Sequence, residues 1–235
     1  LWHPPFEHGV STLPAEVREA AEKLASKFPG VRLAISPRDF HWIFTAVVLS
    51  KRSRWEVFTR KWLRGLWELT QGVEERLLEL SSEDLKAVGT SYQLFELRKT
   101  LRSFAELEVK SILDQPSAKA RRLLMKCYGV GPKVADSTLL FTKGDPSLLP
   151  VDTHLIKILR RFNLIGERSR LPVKDLCLRY ACNDQEAELL HLPVCPLSLE
   201  QSCIREELRR KLGDLSGWFQ TLAYLEGSRV RLERF

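Results

Sequence analysis

Lys133 and Asp152 are the two residues of this chain whose types and surroundings suit covalent chemistry. The lysine closes the run Gly129-Val130-Gly131-Pro132-Lys133. Two glycines two apart, then a proline at a first helical position, describe a tight hairpin between two short helices. The backbone N–H groups of such a hairpin, gathered at a helix N-terminus, offer a seat for one phosphate. Lys133 falls in the first turn of the second helix, where the positive end of the helix dipole disfavours an ammonium. Partial burial acts in the same direction and leaves more free amine to serve as a nucleophile. Nineteen residues on, Pro150-Val151-Asp152-Thr153-His154 opens another helix. Asp152 sits at or beside its N-cap, where unpaired N–H groups hold a carboxylate. A neutral amine near a fixed carboxylate, beside a phosphate grip, suits attack on a sugar carbon. Alone, each residue reads as a solvated lysine or a routine cap; together with the hairpin they read as a site.

The elements that must position this pair are helical. Amphipathic spacing predicts helices from Pro14 to Phe28, Pro37 to Leu49 and Trp55 to Leu69. Shorter ones follow at Gly72 to Leu80 and Ser82 to Val88, then Ser91 to Leu107 and Ser117 to Cys127. Leu1 to Val10 reads as an irregular arm. Trp42, Trp55, Trp62 and Trp67 recur at helical spacing and are expected in the core. No stretch makes a convincing long strand, so the fold class expected is all-α. The chain has 235 residues, 44% apolar and 29% charged, enough for one sizeable core or two small lobes. Its net charge of +7 suits a polyanionic partner. The longest uncharged apolar run, Trp42 to Leu49, is too short to span a bilayer, and no secretory leader pattern is visible. The chain begins at Leu1 rather than Met, which leaves the true N-terminus open. One Met and two Asn point weakly toward a thermophilic source.

GVGPKVAD followed by PVDTHL resembles the helix-hairpin-helix (HhH-GPD) superfamily of DNA glycosylases and apurinic-site lyases. A lysine at position 133 resembles its bifunctional members, which remove the base and then cut the strand. KFPGVRLAISPRDFHWIFTAVVLS, LKAVGTSYQLFELRKTL and SGWFQTLAYLEGS are similar to stretches of the 8-oxoguanine DNA glycosylases within it. The resemblance implies two helical lobes around a cleft. One would hold residues 40–142 with the hairpin; the other would hold 1–39 and 143–235. It implies Lys133 as nucleophile, Asp152 as its charged assistant, and Gly129, Val130 and Gly131 as the phosphate grip. His154 would contact a flanking phosphate, and a monovalent cation would sit at the hairpin. No cofactor is needed for the chemistry. Gln220 and Tyr224, with Trp218 beside them, would meet the edge and face of a flipped base; four residues apart, Gln220 and Tyr224 share one helix face.

The chain also departs from the family. No counterpart of its N-terminal β-rich lobe precedes Pro14, and its asparagine wedge aligns with Lys51 or Arg52. The segment 163–213 is an insertion carrying Cys177, Cys182, Cys195 and Cys203. Three readings of these cysteines stay open. They are nested bridges (Cys177–Cys203 and Cys182–Cys195), a four-thiolate iron–sulfur or zinc site, and reduced thiols packed as small hydrophobes. The expected partner is double-stranded DNA with a damaged base, bound by a monomer with no membrane role. That implies a cytoplasmic, nucleoid-associated location in a prokaryote or a nuclear one in a eukaryote. Two rivals remain: a non-catalytic hairpin module that only grips DNA, and an endonuclease III-like enzyme for oxidised pyrimidines.

Overall fold

The structure is a computed structural model and describes residues 7–232; the first residues of the N-terminal arm lie outside that range. Among the described residues the fold is helical, with only isolated β-bridges at Arg170–Cys203 and Ala181–Val194. Helix α1 (Ala15–Lys27) starts after Pro14, which occupies its N-cap. Helix α2 (Phe40–Leu49) follows a 3-10 turn at Pro37–Asp39 and is apolar on most sides, as its buried Phe40, Phe44, Val47 and Val48 require. Phe40 and Phe44 both stack on Phe104, fixing α2 against α5 (Tyr92–Ala105).

The helix expected from Trp55 begins as a π-turn, Trp55–Thr59, before α3 (Arg60–Thr70). The Arg54 carbonyl there accepts from Val57, Phe58 and Thr59 together. Gly72 to Leu80 forms only a 3-10 turn at Glu75–Leu77. Helix α4 (Ser82–Val88) carries a reciprocal capping box between Ser81 and Asp84. A helix not expected from the sequence, α6 (Val109–Asp114), precedes α7 (Ser117–Lys126). Of the four tryptophans expected in the core, Trp62 is buried. Trp42 and Trp55 are only partly buried, and Trp67 is 53% exposed.

The hairpin joins α7 to α8 (Pro132–Thr142), and α8 packs along both α7 and α2. Helix α9 (Thr153–Arg161) lies against the last helix, α14 (Ser216–Leu232), which also meets α1. Glu226, 5% exposed, ties these three together by accepting from Lys27 at 2.5 Å and Arg161 at 2.8 Å. Two glycines let α14 come close. A Cβ at Gly217 would lie 2.4 Å from Leu140 Cδ1 and 3.2 Å from the Leu148 carbonyl. A Cβ at Gly227 would lie 2.4 Å from His154 Nδ1.

The insertion is ordered into α10 (Lys174–Arg179), α11 (Asp184–Leu190), α12 (Pro196–Leu199) and α13 (Ile204–Leu212). Its α10 and α11 pack on α7. The deepest tie is a buried charge cluster. Asp136, on α8, accepts from Arg121 of α7 at 2.8 Å and from Arg205 of α13 at 2.8 and 3.0 Å. Burial pushes the Arg205 guanidinium down, but the Asp136 carboxylate, with Cys182 and Glu186, outweighs it, so Arg205 stays well above its ordinary value.

All five cysteines are free thiols, which corrects the bridge reading, and no group of three or more His, Cys, Asp or Glu among the described residues could hold a metal ion. The sulfurs serve the charge cluster separately instead. Cys177 Sγ accepts from Arg121 at 3.6 Å, and Cys182 Sγ from Arg205 at 3.4 Å. Burial pushes the Cys182 thiol up to about 12.

Candidate active site

Four structural pieces converge on one open cleft: the C-terminal end of α2 with the π-turn, the start of α8, the start of α9, and α14. Gly131 caps α8 and Pro132 is its first residue, so the helix begins where the glycines end. Gly129 has φ +67°, a left-handed conformation that a side chain would strain. The Val130 N–H is engaged by the Cys127 carbonyl at 3.3 Å, and its side chain is fully buried. Of the three hairpin amides expected to meet a phosphate, those of Gly129 and Gly131 are therefore the better placed.

Lys133 projects from the first turn of α8 into the cleft, where its Nζ donates to Ser50 Oγ at 3.0 Å. Burial pushes the amine below the usual lysine range; the Asp152 carboxylate opposes this, and the Lys51 ammonium adds to it. Asp152 is the N-cap of α9, and each of its oxygens has a job. Oδ1 accepts from the Leu155 N–H at 2.7 Å, and Oδ2 accepts from Gln220 Nε2 at 3.1 Å. The sequence placed Asp152 and Gln220 in the same site but not in contact. A carboxylate can only accept, so Gln220 must face it with its NH2 group, leaving the amide carbonyl as the group to meet a ligand.

Tyr224 lies one turn beyond Gln220, half-buried, with its ring edge-on to His154 at a centroid distance of 4.9 Å. His154 lines the cleft but packs on Tyr224 and under Gly227. Trp218 does not belong to the pocket. It is fully buried and its Nε1 donates to the Val31 carbonyl at 2.9 Å, because a residue two before Gln220 lies on the opposite side of the helix. Lys51 Nζ donates to the Gly129 carbonyl at 2.8 Å, placing an intrinsic cation at the hairpin. Burial holds its ammonium below the usual lysine range. Arg52 next to it is exposed, with φ +53°. The residue that sequence reasoning missed is Ser50. A serine ending an apolar helix carries no signal of its own, and its partner lies 83 positions away.

This all-helical fold, with a Gly-rich hairpin feeding a part-buried lysine opposite a capping aspartate, is similar to the fold of solved DNA glycosylase structures. Among solved structures it is similar to 8-oxoguanine glycosylase/lyases. One from Clostridium acetobutylicum, bound to double-stranded DNA with cytosine opposite 8-oxoguanine, superposes with a TM-score of 0.70 at 19% identity. That match covers 99% of this chain and 72% of the other. The apo form of that enzyme gives a TM-score of 0.65 at 20% identity, covering 94% and 70%. In sequence, the chain is 34% identical over 101 residues to a probable N-glycosylase/DNA lyase of Methanothermobacter thermautotrophicus, covering 42% of this chain and 32% of that protein. It is 28% identical over 168 residues to the N-glycosylase/DNA lyase of Saccharomyces cerevisiae, covering 61% and 42%. The chain thus spans less than half the length of these curated relatives. No family model matches it.

Proposed function

We propose that this protein is a bifunctional DNA glycosylase and apurinic-site lyase that removes oxidised bases from duplex DNA, 8-oxoguanine foremost. The observation that carries the proposal is the Lys133 amine, depressed by burial and held at the cleft wall with the Asp152 carboxylate acting on it. DNA would cross between residues 40–142 and the remainder of the chain, with a phosphate on the Gly129 and Gly131 amides. A nucleotide turned out of the stack enters the cleft. Lys133 Nζ attacks C1′ as the glycosidic bond breaks, and the base leaves with the bonding pair and takes up a proton. The bound amine loses a proton, and its lone pair then opens the sugar ring by expelling O4′, which takes up a proton, to give an iminium. Loss of a C2′ proton then expels the 3′ phosphate by β-elimination. Asp152, fixed through both oxygens, stabilises positive charge on the sugar as the bond breaks. No step requires a cofactor.

The Asp152–Gln220 bond sets what the pocket offers to the edge of a base. With the NH2 turned to Asp152, the Gln220 carbonyl presents an acceptor. An oxidised guanine offers N1–H and N2–H donors on its Watson–Crick edge, and the Tyr224 ring suits its face. The test is a panel of single-lesion duplexes under borohydride trapping. Adduct and excision are expected for 8-oxoguanine, reduced roughly tenfold or more by Tyr224→Ala through lost stacking. Release of thymine glycol with no action on 8-oxoguanine would favour a pyrimidine enzyme. DNA binding without any adduct would leave only a hairpin module.

Asp152→Asn keeps the shape and part of the cap but removes the charge, so turnover should collapse by about 10²-fold or more. The pH profile carries a second signature. The Asp152 charge raises the Lys133 pKa, so its removal lowers that pKa further. The acid limb of the residual rate should therefore move to lower pH even as the plateau falls. A variant with the parent's rate and profile would reduce Asp152 to a helix cap.

A further inference from the structure

We infer that Ser50 is a positioning residue that aims the Lys133 amine, an inference resting on the lyase reading above. Ser50 ends α2, and its hydroxyl donates to the Val47 carbonyl at 2.7 Å. A hydroxyl has one hydrogen, so with that bond made its oxygen can only accept. The contact with Lys133 at 3.0 Å therefore runs from nitrogen to oxygen, whichever protonation state the lysine holds. In the neutral amine one N–H is spent on Ser50, and the lone pair must point elsewhere.

Ser50 is itself held on both flanks. Helix α2 packs along α8, the helix that carries Lys133. The next residue, Lys51, grips the Gly129 carbonyl through Nζ, and its own carbonyl accepts from Gln93 Nε2 at 3.3 Å. The acceptor is thus fixed relative to both the hairpin and the nucleophile's helix. A long lysine side chain with many rotamers gains most from such an anchor, because attack on C1′ requires one approach direction. A serine that merely closes α2 would need only the Val47 bond.

The two roles separate in the pH profile of borohydride trapping on an abasic-site duplex, where base recognition plays no part. Ser50→Ala should lower the plateau rate by about tenfold to a hundredfold through lost orientation. Its acid limb should also shift to lower pH. A hydrogen bond accepted from an ammonium is stronger than one from a neutral amine, so losing it favours the neutral form. Ser50→Thr, which restores the hydroxyl, should recover most of the rate and return the limb. Binding to a duplex with a tetrahydrofuran abasic analogue should stay within about twofold of the parent, since Ser50 is not a phosphate contact in this reading.

A slower Ser50→Ala with an unmoved acid limb would mean that the serine only packs, and would overturn the inference. So would a Ser50→Ala enzyme matching the parent at every pH. If the parent itself forms no adduct, the lyase reading fails first, and the inference falls with it.

Discussion

Lys133→Gln is expected to abolish the trapped adduct and strand cleavage, with turnover lower by at least roughly a thousandfold, as when other enzymes lose a nucleophile. Glutamine is close to lysine in length and can still donate to Ser50, so α8 and the hairpin should keep their places. The Gly129 and Gly131 amides and the Lys51 ammonium are untouched, so affinity for an uncleavable abasic duplex should change little. The measurement pairs trapping with a binding titration. An adduct that persists in the variant would move the nucleophile to another amine and remove the basis of the proposed mechanism. In the parent, trapping should still rise with pH. Its half-point should sit below that of an ordinary lysine, because burial depresses the Lys133 amine.

Asp136→Ala should be the most destabilising single change in the molecule, costing about 3–5 kcal/mol in urea or thermal unfolding. It leaves two fully buried guanidiniums, Arg121 and Arg205, facing each other without their shared carboxylate. Removing one partner of a buried charge group exposes its full desolvation cost, whereas replacing the whole group with apolar residues need not. The triple change Arg121→Met, Asp136→Leu, Arg205→Met should therefore cost clearly less than Asp136→Ala alone. A loss under about 1 kcal/mol for Asp136→Ala would mean that water reaches the cluster and screens it.

These two predictions differ in how much of their basis the sequence disclosed. Lys133 was legible because its glycines and proline permit few other local structures, and Asp152 because a cap has a fixed place at a helix start. Asp136 was not. Its helix neighbours are apolar or small, but nothing in VADSTLL says that two arginines will reach it from 15 and 69 positions away. Arg205 was hidden by company: IREELRR reads as a solvated helix, and its burial shows only once the helix is packed against its neighbours. The insertion therefore looked like an unexplained cysteine-bearing segment, when its arginine is one of the groups that bind it to the hairpin helices. Trp218 was misplaced because it neighbours Gln220 in sequence, although positions two apart on a helix face away from each other. The π-turn at Trp55–Thr59 escaped notice because one extra backbone residue in a turn leaves no mark on residue type.

The glycines of α14 have a mechanical consequence. At Gly217 and Gly227 the helix backbone is pressed onto Leu140 and His154 with no side chain between, so α8, α9 and α14 cannot slide past one another without a collision. Lys133, Asp152 and Gln220 ride on these three elements and form a stiff jaw. The opposing wall is more exposed. It runs from the left-handed Arg52 through the π-turn to Val57 and Phe58, which are 47% and 41% exposed. In the proposed reaction, adjustment to an entering nucleotide would then come from that wall and from the DNA. With one jaw rigid, the proposed reaction would feel directly the ease with which a nucleotide leaves its stack. Lesions in mismatched or weakly stacked contexts should be excised faster than the same lesion in a firmly stacked one.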